Sequence, residues 1–372
     1  MAGLYLHIPF CKSRCIYCDF YSTTLGQEVR LEYARALERE MSRRKQFIKG
    51  SRVHTIYLGG GTPSQLPKEA LTLIFDAISR HFSPSPEAEV TIEANPDDVT
   101  PQWLESLSGT TVNRISMGAQ TFSDNLLSLL GRRHTAQQTI RAVQACKEAG
   151  IRNISLDLIY GLPGQGMEDW KKDVELALSL GITHLSAYAL SIELGTPLDS
   201  SPCKRELEGE HYEELSRRMY DHLMSETKKA GLLHYEISNF ALLGFCSRHN
   251  SSYWQGVPYL GLGAGAHSYD GLRTRRANLP DIGAYLAATD DVPHETECLS
   301  DDALYNEFIM TRLRTSGGIP LDKLSPEDRQ YCLIMAAPHL ERQLLTNDKD
   351  KRLRLTREGI FTSNDIISDL MK

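Results

Sequence analysis

The chain has 372 residues, a formal net charge of −7 and 41% apolar residues, enough to build one large core and a smaller one. That charge argues against a broad nucleic-acid-binding surface. No uninterrupted apolar run reaches transmembrane length and no basic segment precedes an apolar one at the N-terminus, so neither a membrane span nor secretion is indicated and a cytoplasmic location is expected.

The first apolar run, Leu4–Ile8, leads directly into Cys11-Lys-Ser-Arg-Cys15-Ile-Tyr-Cys18. Three thiolates spaced in this way can hold the corners of an iron–sulfur cube and leave one iron without a protein ligand, where a cofactor or substrate can bind. A structural zinc site is the alternative, but it usually closes with four Cys or His ligands, and Asp19-Phe20-Tyr21 supply none. The other cysteines, Cys146, Cys203, Cys246, Cys298 and Cys332, lack the spacing of a disulfide framework and read as ordinary thiols.

From Leu4 to about Leu190 a short apolar run alternates with an amphipathic helical stretch. The candidate strands are Leu4–Ile8, Thr55–Leu58, Glu89–Ala94, Arg114–Ala119, Asn153–Ile159 and His184–Ala189, with helical patterns at Val29–Gln46, Lys68–His81, Pro101–Leu107, Ala136–Ala149 and Met167–Leu180. This is the pattern of parallel strands with crossover helices, giving an α/β fold: a partial (β/α)6 TIM-like barrel whose working face carries the loops after each strand, or an open doubly wound sheet. The cysteine loop follows the first strand and so falls on that face. At the end of the second strand comes Gly59-Gly60-Gly61-Thr62, where backbone can approach a small polar ligand closely or simply make a tight turn. Glu93, Gln120, Arg132 and Asp157 lie in or just beyond the later strands, and polar residues there need partners, either each other or a ligand.

Beyond the repeats, Glu208–Gly231 reads as a long helix and Tyr235–Phe240 as an extended segment across the open side of the barrel. His249-Asn-Ser-Ser-Tyr253-Trp254 combines a possible imidazole ligand with aromatics that equally suit a packed core. Tyr259 to His267 is glycine-rich, fitting close approach to a cofactor or a tight turn between packed elements. Arg273, Arg275 and Arg276 form a local basic cluster that reads as a solvated loop. Residues 300–372 contain 11 Lys/Arg and 12 Asp/Glu, a balance of −1, in a helix–helix–strand pattern that suggests a small winged-helix-like module without a phosphate-binding face. The expected division is a cluster-bearing barrel at 1–195, a barrel extension at 196–299 and the C-terminal module at 300–372.

Taken together, LYLHIPFCxxxCxYCDF, GGGTPS, IEANP, GAQTF, SLDLIYGLPGQ and HNSSYW run nearly end to end and are similar to the radical S-adenosylmethionine proteins of the oxygen-independent coproporphyrinogen oxidase group. The resemblance implies that Cys11, Cys15 and Cys18 hold a [4Fe–4S] cluster whose fourth iron takes S-adenosylmethionine. It also implies that Tyr5, Gly60, Gly61, Thr62, Glu93, Gln120, Arg132 and Asp157 contact that cofactor. The chemistry agrees: turn backbone for the amino group, carboxylates for ammonium or ribose hydroxyls, and Arg132 for the methionine carboxylate, with Glu93 and Asp157 interchangeable in role.

Two departures from the true oxidases weigh against oxidative decarboxylation. Their cluster motif continues with a further cysteine where this chain has Phe20, and they carry an extension ahead of the first strand, whereas here three residues precede Leu4. The run from His249 to Trp254 resembles instead the HNxxYW signature of the group's heme-carrying branch. That implies heme as ligand, with His249, Tyr253 and Trp254 as its contacts, heme-accepting proteins and a reductant for the cluster as partners, and leaves a homodimer open. His7, His234 and His267 are alternative axial ligands, and Cys246 lies near the motif. The expected function is a heme chaperone; the alternative is a radical enzyme acting on a tetrapyrrole.

Overall fold

The computed structural model describes residues 1–48 and 50–372. Six parallel strands are laid side by side in chain order: β1 (Ala2–Ile8), β2 (Val53–Gly60), β3 (Pro84–Ala94), β4 (Arg114–Gln120), β5 (Asn153–Tyr160) and β6 (His184–Ala189). The connections carry α1 (Gln27–Arg44), α2 (Lys68–His81), α3 (Pro101–Ser106), α4 (Asp124–Leu129) with α5 (Ala136–Glu148), and α6 (Met167–Ser179). This is the α/β partial barrel that the repeating pattern implies.

Strand alternation sorts the residues. Leu4, Leu6 and Ile8 of β1, Ile56 and Leu58 of β2, Val90 and Ile92 of β3 and Ile115 and Met117 of β4 join one core with Tyr33, Leu37 and Met41 of α1 and Leu71, Ile74 and Ile78 of α2. The opposite parity carries Tyr5, Tyr57, Glu93, Arg114, Ser116, Asp157 and Ser186, so the inner face is polar where a closed barrel would be filled with branched apolar side chains. Register stacks these groups in rows: Tyr5 pairs with Tyr57, Tyr57 with Thr91 and Thr91 with Arg114, while Glu93 pairs with Ser116 and Gly118 with Asp157.

After the repeats come α7 (Glu210–Lys229), β7 (Leu233–Glu236), β8 (Asn239–Ala241), α8 (Arg248–Trp254), β9 (Tyr259–Leu262), β10 (His267–Tyr269), β11 (Thr274–Asn278), α9 (Ile282–Ala287) and β12 (His294–Cys298). The segment expected to be extended over Tyr235–Phe240 is instead a tight pair, β7 and β8, with β8 antiparallel to β6. On the other flank β9 pairs parallel to β1 and begins the antiparallel run β10–β11–β12, giving a 12-stranded sheet. Its seam is polar and satisfied: the Glu40 carboxylate accepts from Arg44 at 2.8 Å, Gly263 N–H at 2.8 Å, Asn278 at 2.8 Å and the Tyr285 hydroxyl at 2.7 Å. A Cβ on Gly261 would lie 1.9 Å from the His267 carbonyl oxygen and one on Gly263 would lie 2.4 Å from the Tyr33 hydroxyl. Close packing accounts for this glycine-rich stretch.

The C-terminal part contains α10 (Asp301–Leu313), β13 (Ile319–Pro320), α11 (Pro326–Glu341), β14 (Leu345–Asn347), β15 (Arg352–Leu355), α12 (Arg357–Phe361) and α13 (Ser363–Leu370). It builds its own three-stranded antiparallel sheet, in the order β13–β15–β14, and a separate core that includes Tyr305, Ile309, Leu353 and Leu370. Ion pairs Arg314–Glu236 at 2.9 Å and Arg357–Asp221 at 2.6 Å tie it to β7 and α7. Among the described residues, no helix is long and apolar enough to cross a membrane, and the cysteines are free. Arg275 and Arg276 of β11 pair with Glu307 and Asp291, and Arg273 with Asp301, so the basic cluster is neutralised locally.

Candidate functional site

The strand C-terminal ends open onto a cavity of about 500 Å³ lined by Cys11, Cys15, Cys18, Gly60, Gly61, Thr62, Glu93, Gln120, Arg132 and Asp157, among others. The loop from Cys11 to Ser22 is pinned at its base, where Cys11 N–H donates to the Thr23 carbonyl at 2.9 Å and Thr23 N–H to that of Pro9 at 2.6 Å. Ile16 N–H, donating to the Leu130 carbonyl at 3.2 Å, ties its middle to the end of α4. Two side chains from other elements address the sulfurs: the Thr62 hydroxyl donates to Cys11 Sγ and an Arg132 Nη to Cys15 Sγ, both at 3.4 Å. Burial pushes the Cys18 thiol up against a backbone hydrogen bond from Phe20, and Cys15 and Cys11 add to the rise. A metal centre removes that penalty by binding thiolates. Among the described residues, no three Cys, His, Asp or Glu side chains converge at single-ion spacing, whereas three cysteines spread along one wall suit a cluster held at its corners.

The triglycine turn serves both packing and binding. Gly60 has φ +105°, and a Cβ on Gly61 would lie 2.7 Å from the Ile8 carbonyl oxygen, so β2 can lie against the root of the cysteine loop only without side chains. Thr62 N–H donates to the Phe10 carbonyl at 2.7 Å and continues the same seam.

Glu93 accepts from the Tyr57 hydroxyl at 2.7 Å and from Gly60 N–H at 3.1 Å. Burial raises its carboxyl to about 7; the two hydrogen bonds oppose this and the Asp157 charge adds to it. Burial also raises Asp157, with Ser186, Arg114 and Ser116 pulling it down. Gln120 sits at φ +64° where the β4–β5 register shifts, a left-handed conformation that turns the strand end at the cavity wall. Arg132 spans the site: one Nη donates to Asn95 Oδ1 at 2.5 Å and to the Gly118 carbonyl at 2.8 Å, and its Nε has no partner among the described residues. Burial opposes its charge, but Tyr17 and Cys15 more than restore it. His134 Nδ1 meets the same Asn95 Oδ1 at 3.1 Å, and the ring is lowered to about 3 by burial and by Arg132, so it stays neutral.

Several lining residues were not singled out from sequence. Arg114 is 1% exposed, lines the cavity and has an unpaired Nε. Tyr57, Ser116 and Ser186 share its inward parity, and that parity is the signal that would have found them once Glu93 and Asp157 were placed. Phe20, the residue at which the chain departs from the oxidases' cluster motif, is 65% exposed and Tyr188 is 42% exposed, both on the cavity wall.

Four expected contacts do not reach that wall. Tyr5 points into the barrel and its hydroxyl meets His7 Nδ1 at 3.0 Å. Of the run 249–254, Asn250 alone lines the cavity. His249 is 0% exposed, with Nδ1 2.9 Å from the Thr55 hydroxyl and Nε2 2.8 Å from that of Tyr253. Axial ligation by His249 would require one of these bonds to break in a closed core. The Trp254 ring lies under the Arg314 guanidinium at 5.1 Å. Among the alternatives, His7 meets the Tyr21 carbonyl at 2.9 Å, His234 stacks on Phe240 at 4.4 Å, His267 is exposed, and Cys246 is half-buried.

Residues 5–177 match the radical SAM superfamily and residues 299–362 the HemN C-terminal domain. The chain is 36% identical to the heme chaperone HemW of Lactococcus lactis, with 99% of this chain and 96% of that protein covered. It is 35% identical to the heme chaperone HemW of Bacillus subtilis, with 98% of each covered. The solved structure of coproporphyrinogen III oxidase (HemN) from Escherichia coli, a radical SAM enzyme, superposes with a TM-score of 0.84 at 21% identity, covering 100% of this chain and 90% of that one. That likeness bears on the fold.

Proposed function

The chain belongs to the HemW family within the radical SAM superfamily, and from that membership we propose that it is a heme chaperone: it binds heme and passes it to acceptor proteins. The observation that carries this reading is the similarity to heme chaperones over almost the whole chain. Membership of the superfamily also implies a [4Fe–4S] cluster and S-adenosylmethionine.

The residues present fit both groups. Cys11, Cys15 and Cys18 would hold the cluster, with the Thr62 hydroxyl and the Arg132 guanidinium donating toward two of the sulfurs as outer supports. Glu93 and Asp157 would take the cationic or hydroxyl groups of the cofactor, and Arg132, with an unpaired Nε, its carboxylate. When bound and reduced, the cluster supplies an electron to the sulfonium of S-adenosylmethionine. The protein's own part is to exclude water, to fix the carboxylates through Tyr57 and Gly60, and to hold Arg132 against Asn95 and Gly118. The exposed rings of Phe20 and Tyr188 offer an apolar rim on which a flat macrocycle can lie.

The intact cofactor cavity also supports a second reading, a radical enzyme acting on a tetrapyrrole. An anaerobic heme titration of the cluster-reconstituted protein, followed by transfer to an apo heme protein, separates the two. Stoichiometric binding and transfer with little 5′-deoxyadenosine supports the chaperone. No heme binding with sustained 5′-deoxyadenosine release, on adding a tetrapyrrole, supports the enzyme.

A further inference from the structure

We propose that α8 is the floor of the cofactor cavity, with His249 a positioning residue that holds Tyr57 and, through it, the Glu93 carboxylate, and not an axial ligand of heme. The proposal concerns the S-adenosylmethionine site of the reading above.

The path is continuous. Glu89 on β3 anchors the start of α8, accepting from Arg248 N–H at 3.0 Å and His249 N–H at 2.9 Å. From there the His249 ring enters the barrel, where Thr55 and Tyr253 hold its two nitrogens. Its face lies parallel to the Tyr57 ring, with centroids 5.0 Å apart and planes 25° apart. Tyr5 flanks the pair, 6.2 Å from Tyr57 and 6.4 Å from His249. The Tyr57 hydroxyl then donates to Glu93 at 2.7 Å. A buried ring stacked at this distance is fixed by its neighbour, because a gap left by a smaller side chain lets it tilt. Glu93 would then lose one of its two donors. The next residue, Asn250, turns into the cavity, so the motif has one residue that anchors and one that lines.

An axial ligand needs a free nitrogen facing the metal. Both His249 nitrogens are engaged, the ring is fully buried, and its stacking partner is an inward residue of β2. The Tyr253 hydroxyl is bound to His249, and its ring meets Tyr259 edge-on at 4.6 Å.

The test measures S-adenosylmethionine affinity by calorimetry on the full-length, cluster-reconstituted protein, with heme stoichiometry and Soret position recorded on the same samples. His249→Ala is expected to weaken S-adenosylmethionine about tenfold, as loss of one buried hydrogen bond to a charged group would. The loss should vanish in a Glu93→Gln background, because two changes acting through one group are not additive. His249→Gln, which can still reach Tyr253, should recover most of the affinity. Tyr57→Phe removes only the hydroxyl and should reproduce the His249→Ala effect, so the idea remains testable should the alanine variant fail to fold. Equal losses with and without Glu93, or a Soret shift and loss of heme stoichiometry in His249→Ala, would overturn it. Absence of heme binding in the unmodified protein would count against the chaperone reading and leave the coupling between His249 and Glu93 measurable.

Discussion

The raised carboxyl of Glu93 makes cofactor binding pH-dependent in a definite direction. In the ligand-free fold its pKa is about 7, against 4.5 ordinarily, because burial disfavours the charge more than Tyr57 and Gly60 restore it. Between those values the folded chain retains a proton that the unfolded chain has lost, so stability of the ligand-free protein falls as pH rises through that window, by ~1.4 kcal/mol per pH unit or about 3 kcal/mol in all. Binding has the opposite sense. A cationic group of S-adenosylmethionine favours the carboxylate, and if the complex returns Glu93 to its ordinary range, affinity should fall as pH drops below about 7. The limiting slope is ~10-fold per pH unit and the full loss on the order of 300-fold. Calorimetric titrations of the reconstituted protein from pH 5.5 to 8 would measure the slope. Glu93→Gln should bind weakly and without that slope, and Asp157→Asn should keep a Glu93-dependent slope of altered midpoint, because the two carboxyls titrate together. A flat profile in the unmodified protein, or an unchanged slope in Glu93→Gln, would refute the argument.

Three further changes test the architecture around the site. Cys15→Ala should abolish the cluster absorbance while leaving the thermal transition within a few degrees, since the loop is pinned by backbone at Thr23 and Leu130; full iron and sulfide content in that variant would contradict the ligand assignment. Gly60→Ala must hold φ near +105° with a Cβ 2.4 Å from the His7 ring, and the backbone penalty plus the displaced hydrogen bonds of His7 should cost about 3 kcal/mol in urea unfolding; a loss under about 1 kcal/mol would mean that the turn relaxes freely. Glu40→Ala strands the buried Arg44 guanidinium beside Asn278 and Tyr285 and should cost about 3–5 kcal/mol, whereas the S-adenosylmethionine affinity of the folded fraction should not change.

The six-strand barrel was legible because each unit repeats a short apolar run and an amphipathic helix, and α2 and β6 fall where periodicity puts them. What escaped has little pattern of its own. β11 and β12 read Thr-Arg-Arg-Ala-Asn and His-Glu-Thr-Glu-Cys, polar segments without a strand's apolar alternation that become strands because the neighbouring β10–β11–β12 ladder supplies hydrogen bonds. The parallel pairing of β9 with β1 joins residues as far apart as Gly3 and Tyr259, and no local signal encodes it. In the site, the cysteines, the glycines, Glu93, Gln120, Arg132 and Asp157 stood out as polar or small residues at strand ends. Arg114 did not, because it opens its strand and reads as a flank until the parity of Ser116 and Gly118 turns it inward. His249 was visible as a residue type, but which of its faces is free depends on Thr55, Tyr57 and Tyr253 meeting in space.

Buried carboxylates in this protein divide by how fully their acceptor sites are filled, and the division separates architecture from binding. Glu40 takes four donors from three separate regions of the chain, and Asp173 takes Thr121, Phe122 and Gln165. Each of these joins elements that must not separate. Among the described residues Glu93 has two donors, and Asp157 is reached by the Ser116 hydroxyl at 3.4 Å with the Ser186 hydroxyl beside it, although a carboxylate offers about four acceptor positions. Both face the cavity with Arg114 and Arg132, whose Nε atoms also lack partners among the described residues. Capacity left open in a buried site lowers the stability of the empty protein and is recovered only by a ligand that brings complementary donors and charge. On the proposed function, S-adenosylmethionine brings an ammonium, a carboxylate and ribose hydroxyls together as the complement of these groups, while Phe20 and Tyr188 at the rim lie outside them.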